Sequence, residues 1–430
     1  MLDGKWIREH QEQIQQVAED KGIELSVPEL LHWDDQRRAL LQEVERIRQE
    51  RNRLTPQIEV QIREQGPDAA AALKEEVKQL NRRLSGLEKE LEEAGREYRR
   101  LMLLVPSPVS PDTPKGLSDL DNVVVKQIGE PPAFGFAPRD HVALGEQHRM
   151  IDIPRGVKTA GARNYYLNGT GVLLHRAVQQ LAVDLLVAKG FTLLEVPLMV
   201  RSEALVNTGF FPLGVDQTYR MAEDDRWLVG TAEVPLVSYY DHEIVDVTHP
   251  VKLAAASLCF RSEVGSAGRD VHGLYRVHQF SKVEQVVLCE NNPELSEQLF
   301  QEITQNAEEL LQLLELPYRV MAVCTGDMSQ KTYKQYDIET WMPSRGAYGE
   351  THSSSQLLDF QARRSNIRYK DQDGKLQYCY TLNNTMVASP RILIPLLENH
   401  QEEDGSIRIP HALRKYMNGL ERLTSLNPEG

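Results

Sequence analysis

The sequence predicts an α+β protein with a helical hairpin near its N-terminus and a larger, strand-rich domain behind it. Three observations carry this reading. Two heptad-patterned runs flank a Gly66-Pro67-Asp68 breaker, and a proline-rich stretch from Val105 to Pro114 separates them from the rest. Beyond that stretch, strand-like segments outnumber the helices that could serve as crossovers. Neither G-x-G-x-x-G opening a helix nor G-x-x-x-x-G-K-[ST] occurs, so a dinucleotide fold and a P-loop are unsupported.

At 430 residues the chain has room for one large domain and a smaller one. Hydrophobic residues make up 41% and charged residues 26%, ordinary for a globular protein. No apolar run approaches the roughly 20 residues that span a bilayer, and no membrane association is expected. No signal core follows Met1-Leu2-Asp3-Gly4-Lys5, and a cytoplasmic location is expected. Cys259, Cys289, Cys324 and Cys379 lie far apart without a C-x-x-C pair, consistent with reduced thiols and giving no zinc signature. The formal charge of −14 confines any RNA contact to local patches or shape recognition, against an unfavourable overall field.

In the hairpin, Leu40, Val44, Ile47, Leu54 and Ile58 follow a 4-3 spacing, with Arg51 at one seam site. The second run is cleaner: Leu73, Val77, Leu80, Leu84, Leu87, Leu91, Ala94, Tyr98 and Leu101. Arms of ~30 residues would reach ~45 Å at ~1.5 Å per residue. Pro56 is expected to kink or shorten the first helix. Most such seams bind protein, so a structural or dimerising coiled coil is the plain reading. Arg46, Arg53, Lys78, Arg82 and Lys89 offer a basic stripe for RNA, but glutamates are interspersed, and the pattern alone leaves both readings open.

In the larger domain, helices are expected over Thr170 to Lys189 and Pro293 to Leu314. The chemically informative stretch is Leu258 to Leu288, two strand-like runs around a connection containing Gly265, Gly268 and Gly273. Period-2 alternation puts Arg276, His278, Phe280, Lys282 and Glu284 on one face, with Arg261 and Glu263 sharing a face of the first strand. Such a face is a poor core. It suits a flat, charged ligand: guanidinium for phosphate, a ring for a purine, a carboxylate for an ammonium. A solvated strand with alternating ion pairs is the competing reading.

Several strings resemble seryl-tRNA synthetases. Arg261-Ser262-Glu263 with GSAGRD, GLYRVHQF and KVEQ is similar to their motif 2, and TAEVPL at Thr231 to Leu236 to their serine-binding segment. CTGDMS (Cys324 to Ser329), DFQARRSNIRY (Asp359 to Tyr369), LLENHQEEDGSIRIP (Leu396 to Pro410), the opening MLDGKWIRE and the VPSPVSPDTPKG linker extend the resemblance over nearly the whole chain. It implies a class II antiparallel sheet flanked by helices, with an antiparallel coiled-coil arm. An N-terminal tRNA-binding domain is expected over 1–107, its arm over about 34–104, and a catalytic domain over 108–430. Pro197 matches the motif 1 proline of the family's dimer interface, so a homodimer is implied.

The implied reaction joins L-serine to tRNA(Ser), with tRNA(Sec) a further acceptor, through a seryl-adenylate made from ATP with Mg²⁺. Arg261 would hold the α-phosphate and the serine carboxylate, Glu263 the adenine edge, and Phe280 and Arg391 the two faces of the base. Arg261, Arg391 and Glu350 are the implied catalytic residues. Glu350 and Ser353 match the metal ligands. Thr231, Ala232, Glu233, Glu284 and Thr385 fall on the serine site; Ser262, Val277, His278, Gln279, Thr351 and His352 complete the ATP site. The arm would grip tRNA(Ser). A specialised duplicate and a non-catalytic RNA-binding paralogue are the alternatives, and the retained Arg261, Glu263, Glu350 and Arg391 weigh against the second. The chain departs from the commonest bacterial pattern at Gly230, at Val271-His272, between Glu350 and Gln356, and between Leu382 and Arg391. Within those stretches His352 reads more readily as a satisfied structural histidine than as a ligand.

Overall fold

The computed structural model describes residues 2–264 and 272–424. The expected connection residues Gly265, Gly268 and Val271 therefore lie outside the described residues. The chain divides into two compact units, Met1–Pro106 and Ser107–Gly430.

The first unit is helical: α1 (Gly4–Glu9), α2 (Gln11–Asp20), α3 (Val27–Gln65) and α4 (Ala71–Met102). Asp3 caps α1 by accepting the Lys5 and Trp6 amides. Ser26 caps α3 through the Glu29 amide, and Gly66, at φ +94°, ends it. Between α3 and α4, Val44, Ile47 and Leu84 are buried with Leu80, Leu87 and Leu91 packed against them, which is the heptad seam. At the base, Ile7, Ile14, Ala18 and Leu30 meet Leu101 and Met102. Cross-hairpin pairs Arg48–Glu88 and Arg83–Glu43, each at 2.6 Å, are exposed and add little to stability. Of the two outcomes expected at Pro56, shortening does not occur: α3 runs 39 residues through it. The lost backbone bond and the ring clash are local, and Leu54, two residues before Pro56, remains buried.

The second unit is built on one eight-stranded sheet. Its strands are β1 (Val123–Ile128), β2 (Thr192–Leu193), β3 (Val251–Phe260), β4 (Gln279–Cys289), β5 (Tyr318–Ala322), β6 (Lys334–Met342), β7 (Ala347–Leu358) and β8 (Tyr380–Ser389). The order is β1-β5-β6-β7-β8-β4-β3-β2, antiparallel except where β2 pairs parallel with β3. Helices α5 (Gly169–Ala188) and α6 (Pro293–Leu313) cover one face. Their Leu174, Val178, Phe300 and Ile303 pack with Val283, Val287, Leu382 and Met386. By composition α5 is apolar enough to cross a membrane, yet its apolar side chains build this core. Buried Gln285 pins the layer by donating to Ile303 O (3.0 Å) and accepting from Asn306 (2.9 Å).

Among the described residues, apolar side chains pack over one end of the opposite face. There Val286, Leu288, Leu253 and Ala255 meet Ala232, Leu236 and Val237. At the other end the alternation along β4 presents Phe280, Lys282 and Glu284, and Phe280 and Lys282 line a cleft.

Candidate active site

Arg276 and His278 lie off the strand predicted for them, because β4 begins at Gln279 and β3 ends at Phe260. The pairing continues one rung as loop: the Arg261 amide donates to His278 O (3.0 Å), and His278 Nδ1 lies 3.0 Å from Arg261 O. Beyond it Glu263 adopts φ +52°, which turns its side chain toward Arg276, 3.5 Å away.

The cleft brings together Arg261, Glu263, Val277, Phe280, Glu350, Thr351, His352, Thr385 and Arg391 from the sequence reading. Arg261 Cζ stands 5.3 Å from the Phe280 ring centroid. Across the cleft Arg391 stacks on Tyr275 at 4.4 Å, donates to Tyr275 O (3.0 Å) and Glu350 O (3.2 Å), and pairs with the Glu350 carboxylate at 3.6 Å. His352 is buried, with Nδ1 2.8 Å from Thr351 Oγ1. Burial first, then the Arg391 charge, pushes its pKa down to about 3, so it stays neutral.

The remaining predicted residues stand elsewhere. Ser262 turns away and donates to Asp216 O (2.6 Å), and Gln279 is exposed. Ala232 is buried among apolar side chains, and Thr231 Oγ1 accepts the Glu233 amide at 3.2 Å. Ser353 sits beside β6, where Gln335 donates to its hydroxyl at 3.3 Å.

Beneath the cleft lies a buried polar network that alternation only partly foretold. Lys282 Nζ is 2.5 Å from Glu284 Oε2 and 3.3 Å from Thr385 Oγ1, which itself donates to Glu284 at 3.5 Å. Burial raises the Glu284 pKa to about 7 despite Lys282, with the Glu233 charge adding to the rise. Glu233 Oε1 accepts from Lys331 Nζ (2.5 Å) and Gln361 (2.7 Å), and Gln361 accepts from Thr381 (2.8 Å). Desolvation lowers the Lys331 pKa. Asn383, 7% exposed, shares the Thr385 face of β8, and its Nδ2 has no hydrogen-bond partner among the described residues. Sequence reasoning gave no role to Lys282, Lys331, Gln361, Asn383 or Tyr275. Lys282 carried a signal in its place in the alternation, and Tyr275 and Gln361 lay in the matched strings GLYRVHQF and DFQARRSNIRY.

Near the mouth Asp337 pairs across strands with Ser353, and burial with the Glu350 charge raises its pKa. Two carboxylates, Asp337 and Glu350, beside a hydroxyl are hard oxygen donors of the kind a magnesium ion takes, together with phosphates.

Residues 217–400 match the family described as the tRNA synthetase class II core domain (G, H, P, S and T), and residues 1–109 the seryl-tRNA synthetase N-terminal domain. The serine–tRNA ligase of Deinococcus radiodurans is 45% identical over 427 residues, covering 98% of this chain and 99% of that protein. The chain belongs to the serine–tRNA ligase family. The Rubrobacter xylanophilus serine–tRNA ligase is 40% identical, with 97% of this chain and 98% of the relative covered. Among solved structures, the Pyrococcus horikoshii seryl-tRNA synthetase complexed with ATP superposes with a TM-score of 0.89 at 37% identity, covering 99% of this chain and all of that one. The cytoplasmic serine–tRNA ligase of Naegleria fowleri in complex with AMP gives 0.82 at 26%, covering 97% and 96%. The class II sheet of this family is the antiparallel sheet described above.

Proposed function

We propose that this protein is a serine–tRNA ligase that activates L-serine with ATP and transfers it to tRNA(Ser), and that the cleft over β4 and β8 is its active site. The observation carrying the assignment to this cleft is the juxtaposition of two arginines and Glu350 with a buried carboxylate–hydroxyl pocket, Glu284 and Thr385. One end suits a triphosphate and the other a small hydroxylated amino acid.

ATP lies with its base between Phe280 and Arg391 and its edge toward Glu263. Arg261 bridges the α-phosphate and the serine carboxylate. One carboxylate oxygen attacks the α-phosphorus, the bond to the bridging oxygen breaks, and pyrophosphate leaves with that electron pair. No protein nucleophile is needed. Orientation of the two reactants and cationic relief of the crowded negative charge supply the acceleration. Glu350, Ser353 and the neighbouring Asp337 would hold Mg²⁺, which supplies charge neutralisation on the phosphates when bound. A ribose hydroxyl at the tRNA 3′ end then attacks the adenylate carbonyl and AMP leaves.

Glu284 and Thr385 receive the serine hydroxyl. Alanine would leave these buried groups unpaired, a discrimination of about 10⁴–10⁵ for sites that bond a substrate hydroxyl. Glu233 Oε1 is taken by Lys331 and Gln361, so the serine ammonium meets the second oxygen of that carboxylate. Thr231 frames the same end. The N-terminal hairpin grips the tRNA by shape, which suits both A-form RNA and the mixed charge of its arms. Two copies pair through the surface around Pro197. Charging of a tRNA(Ser) transcript with radiolabelled serine is the test. Serine-specific charging supports the reading, and tRNA binding without charging would mark a non-catalytic relative.

A further inference from the structure

Behind the nucleotide end of the cleft, outside its lining, lies a buried acid–histidine pair. His141 is 5% exposed and begins the helix His141–Gln147; Glu398 is fully buried near the end of the helix Leu393–Asn399. Glu398 Oε1 accepts both the His141 amide (3.0 Å) and His141 Nδ1 (2.8 Å). Ser344 secures the carboxylate with its amide (2.9 Å) and hydroxyl (2.8 Å). On the far side of the ring, the Leu274 amide donates to Nε2 at 3.2 Å. An amide can donate only to a bare nitrogen, so the ring is neutral with its proton on Nδ1, the tautomer that Glu398 selects. The ring lies close against the backbone there: a Cβ added to Gly273, at φ +75°, would come within 1.9 Å of Nε2.

Leu274 and Tyr275 line the cleft. Tyr275 O accepts from Arg391 Nε, and its ring lies under the Arg391 guanidinium. The contacts therefore run from Glu398 through His141 and Leu274 to Tyr275 and Arg391.

We propose that His141, oriented by Glu398, is a positioning residue for ATP: by holding the Leu274 amide it fixes Tyr275, and through Tyr275 the guanidinium of Arg391. This rests on the reading that Arg391 serves ATP. The serine pocket shares no contact with the pair, so its effect falls on the nucleotide.

Two substitutions separate the ring's two bonds. His141→Asn keeps a donor for Glu398 but cannot reach Leu274, while His141→Gln places an amide oxygen near the position of Nε2. In serine-dependent pyrophosphate exchange, the Asn variant should raise the KM for ATP about threefold to tenfold, the range expected for one lost hydrogen bond. Its serine KM should stay within about twofold, and the Gln variant should recover most of the loss. Equal rises in both KM values, or identical behaviour of the Asn and Gln variants, would show a ring that merely fills space and would overturn the proposal. Arg391→Ala, assayed alongside, separates the two claims. An ATP KM raised there but not in His141→Asn overturns the proposal and leaves the site reading standing; one unchanged in Arg391→Ala removes both. Should the Asn variant fail to fold, the imidazole ¹⁵N shifts of the wild-type enzyme decide. A bare Nε2 supports the proposal, and a protonated Nε2 overturns it.

Discussion

Lys331 and Glu233 form the ion pair whose disruption has the most sharply defined consequence. Their atoms lie 2.5 Å apart with side chains 8% and 6% exposed. Lys331→Met keeps most of the stem, including its place beside Phe210, whose ring centroid is 3.8 Å from Nζ. It leaves the buried Glu233 carboxylate without its cation. Removing one partner of a buried pair costs about 3–5 kcal/mol, because the remaining charge is uncompensated. Gln361 still donates to Glu233 at 2.7 Å, which places the expectation near the lower end, about 3 kcal/mol. Glu233→Gln in the same background removes that charge. The double variant should then be more stable than Lys331→Met alone by about 1–2 kcal/mol, an inversion that additive effects cannot produce. Guanidinium unfolding monitored at the catalytic unit reads the midpoints, and unchanged slopes keep the comparison one of stability. Lys331 also lowers the Glu284 pKa, so the single variant should need a higher pH for serine activation. A double variant no more stable than Lys331→Met would refute the reasoning, because the pair would then not be an electrostatic unit.

Glu284 titrates near pH 7 because burial disfavours its charge. Its ionised form accepts the serine hydroxyl, so kcat/KM for serine should rise as pH climbs from 6 to 8, and Glu284→Gln should flatten that limb. The stability effect has the opposite sign: with a folded pKa above the ordinary 4.5, the Glu284 contribution is full below pH 4.5 and declines as pH rises to about 7, visible as a falling unfolding midpoint. Thr385→Ala should lose a bond worth ~0.5–1.5 kcal/mol and raise the serine KM more than the ATP KM; a change confined to ATP would exclude Thr385 from the serine pocket. Removing residues 49–83 and joining Arg48 to Leu84 by a short glycine turn spares the base packing of Leu101 and Met102. Pyrophosphate exchange should persist and tRNA(Ser) charging should fall by orders of magnitude, whereas undiminished charging would return the hairpin to a structural coiled coil.

What was legible in the sequence was what repeats locally. Val44, Ile47 and Leu84 announce their seam through spacing within one helix each, and Phe280, Lys282 and Glu284 their shared face through a period of two. Alternation says nothing about where a strand stops, so Arg276 and His278 were placed on β4 although they precede it. The intrinsic helix cost of Pro56 predicts a kink or a break, yet α3 continues through it. Lys331 with Glu233, and His141 with Glu398, join residues 98 and 257 positions apart. No periodicity links such pairs, and each residue alone reads as an ordinary charged or polar side chain.

The most direct test of the central claim is serine-dependent exchange of pyrophosphate into ATP, comparing the wild type with Arg261→Ala. The account predicts exchange that requires serine, is not supported by alanine or threonine, and is lost in Arg261→Ala while the unfolding midpoint stays near that of the wild type. Arg261 lines the cleft and fills no core volume, so its loss should remove transition-state contacts without loosening the fold. Exchange at the wild-type rate in Arg261→Ala would contradict the placement of serine activation in this cleft.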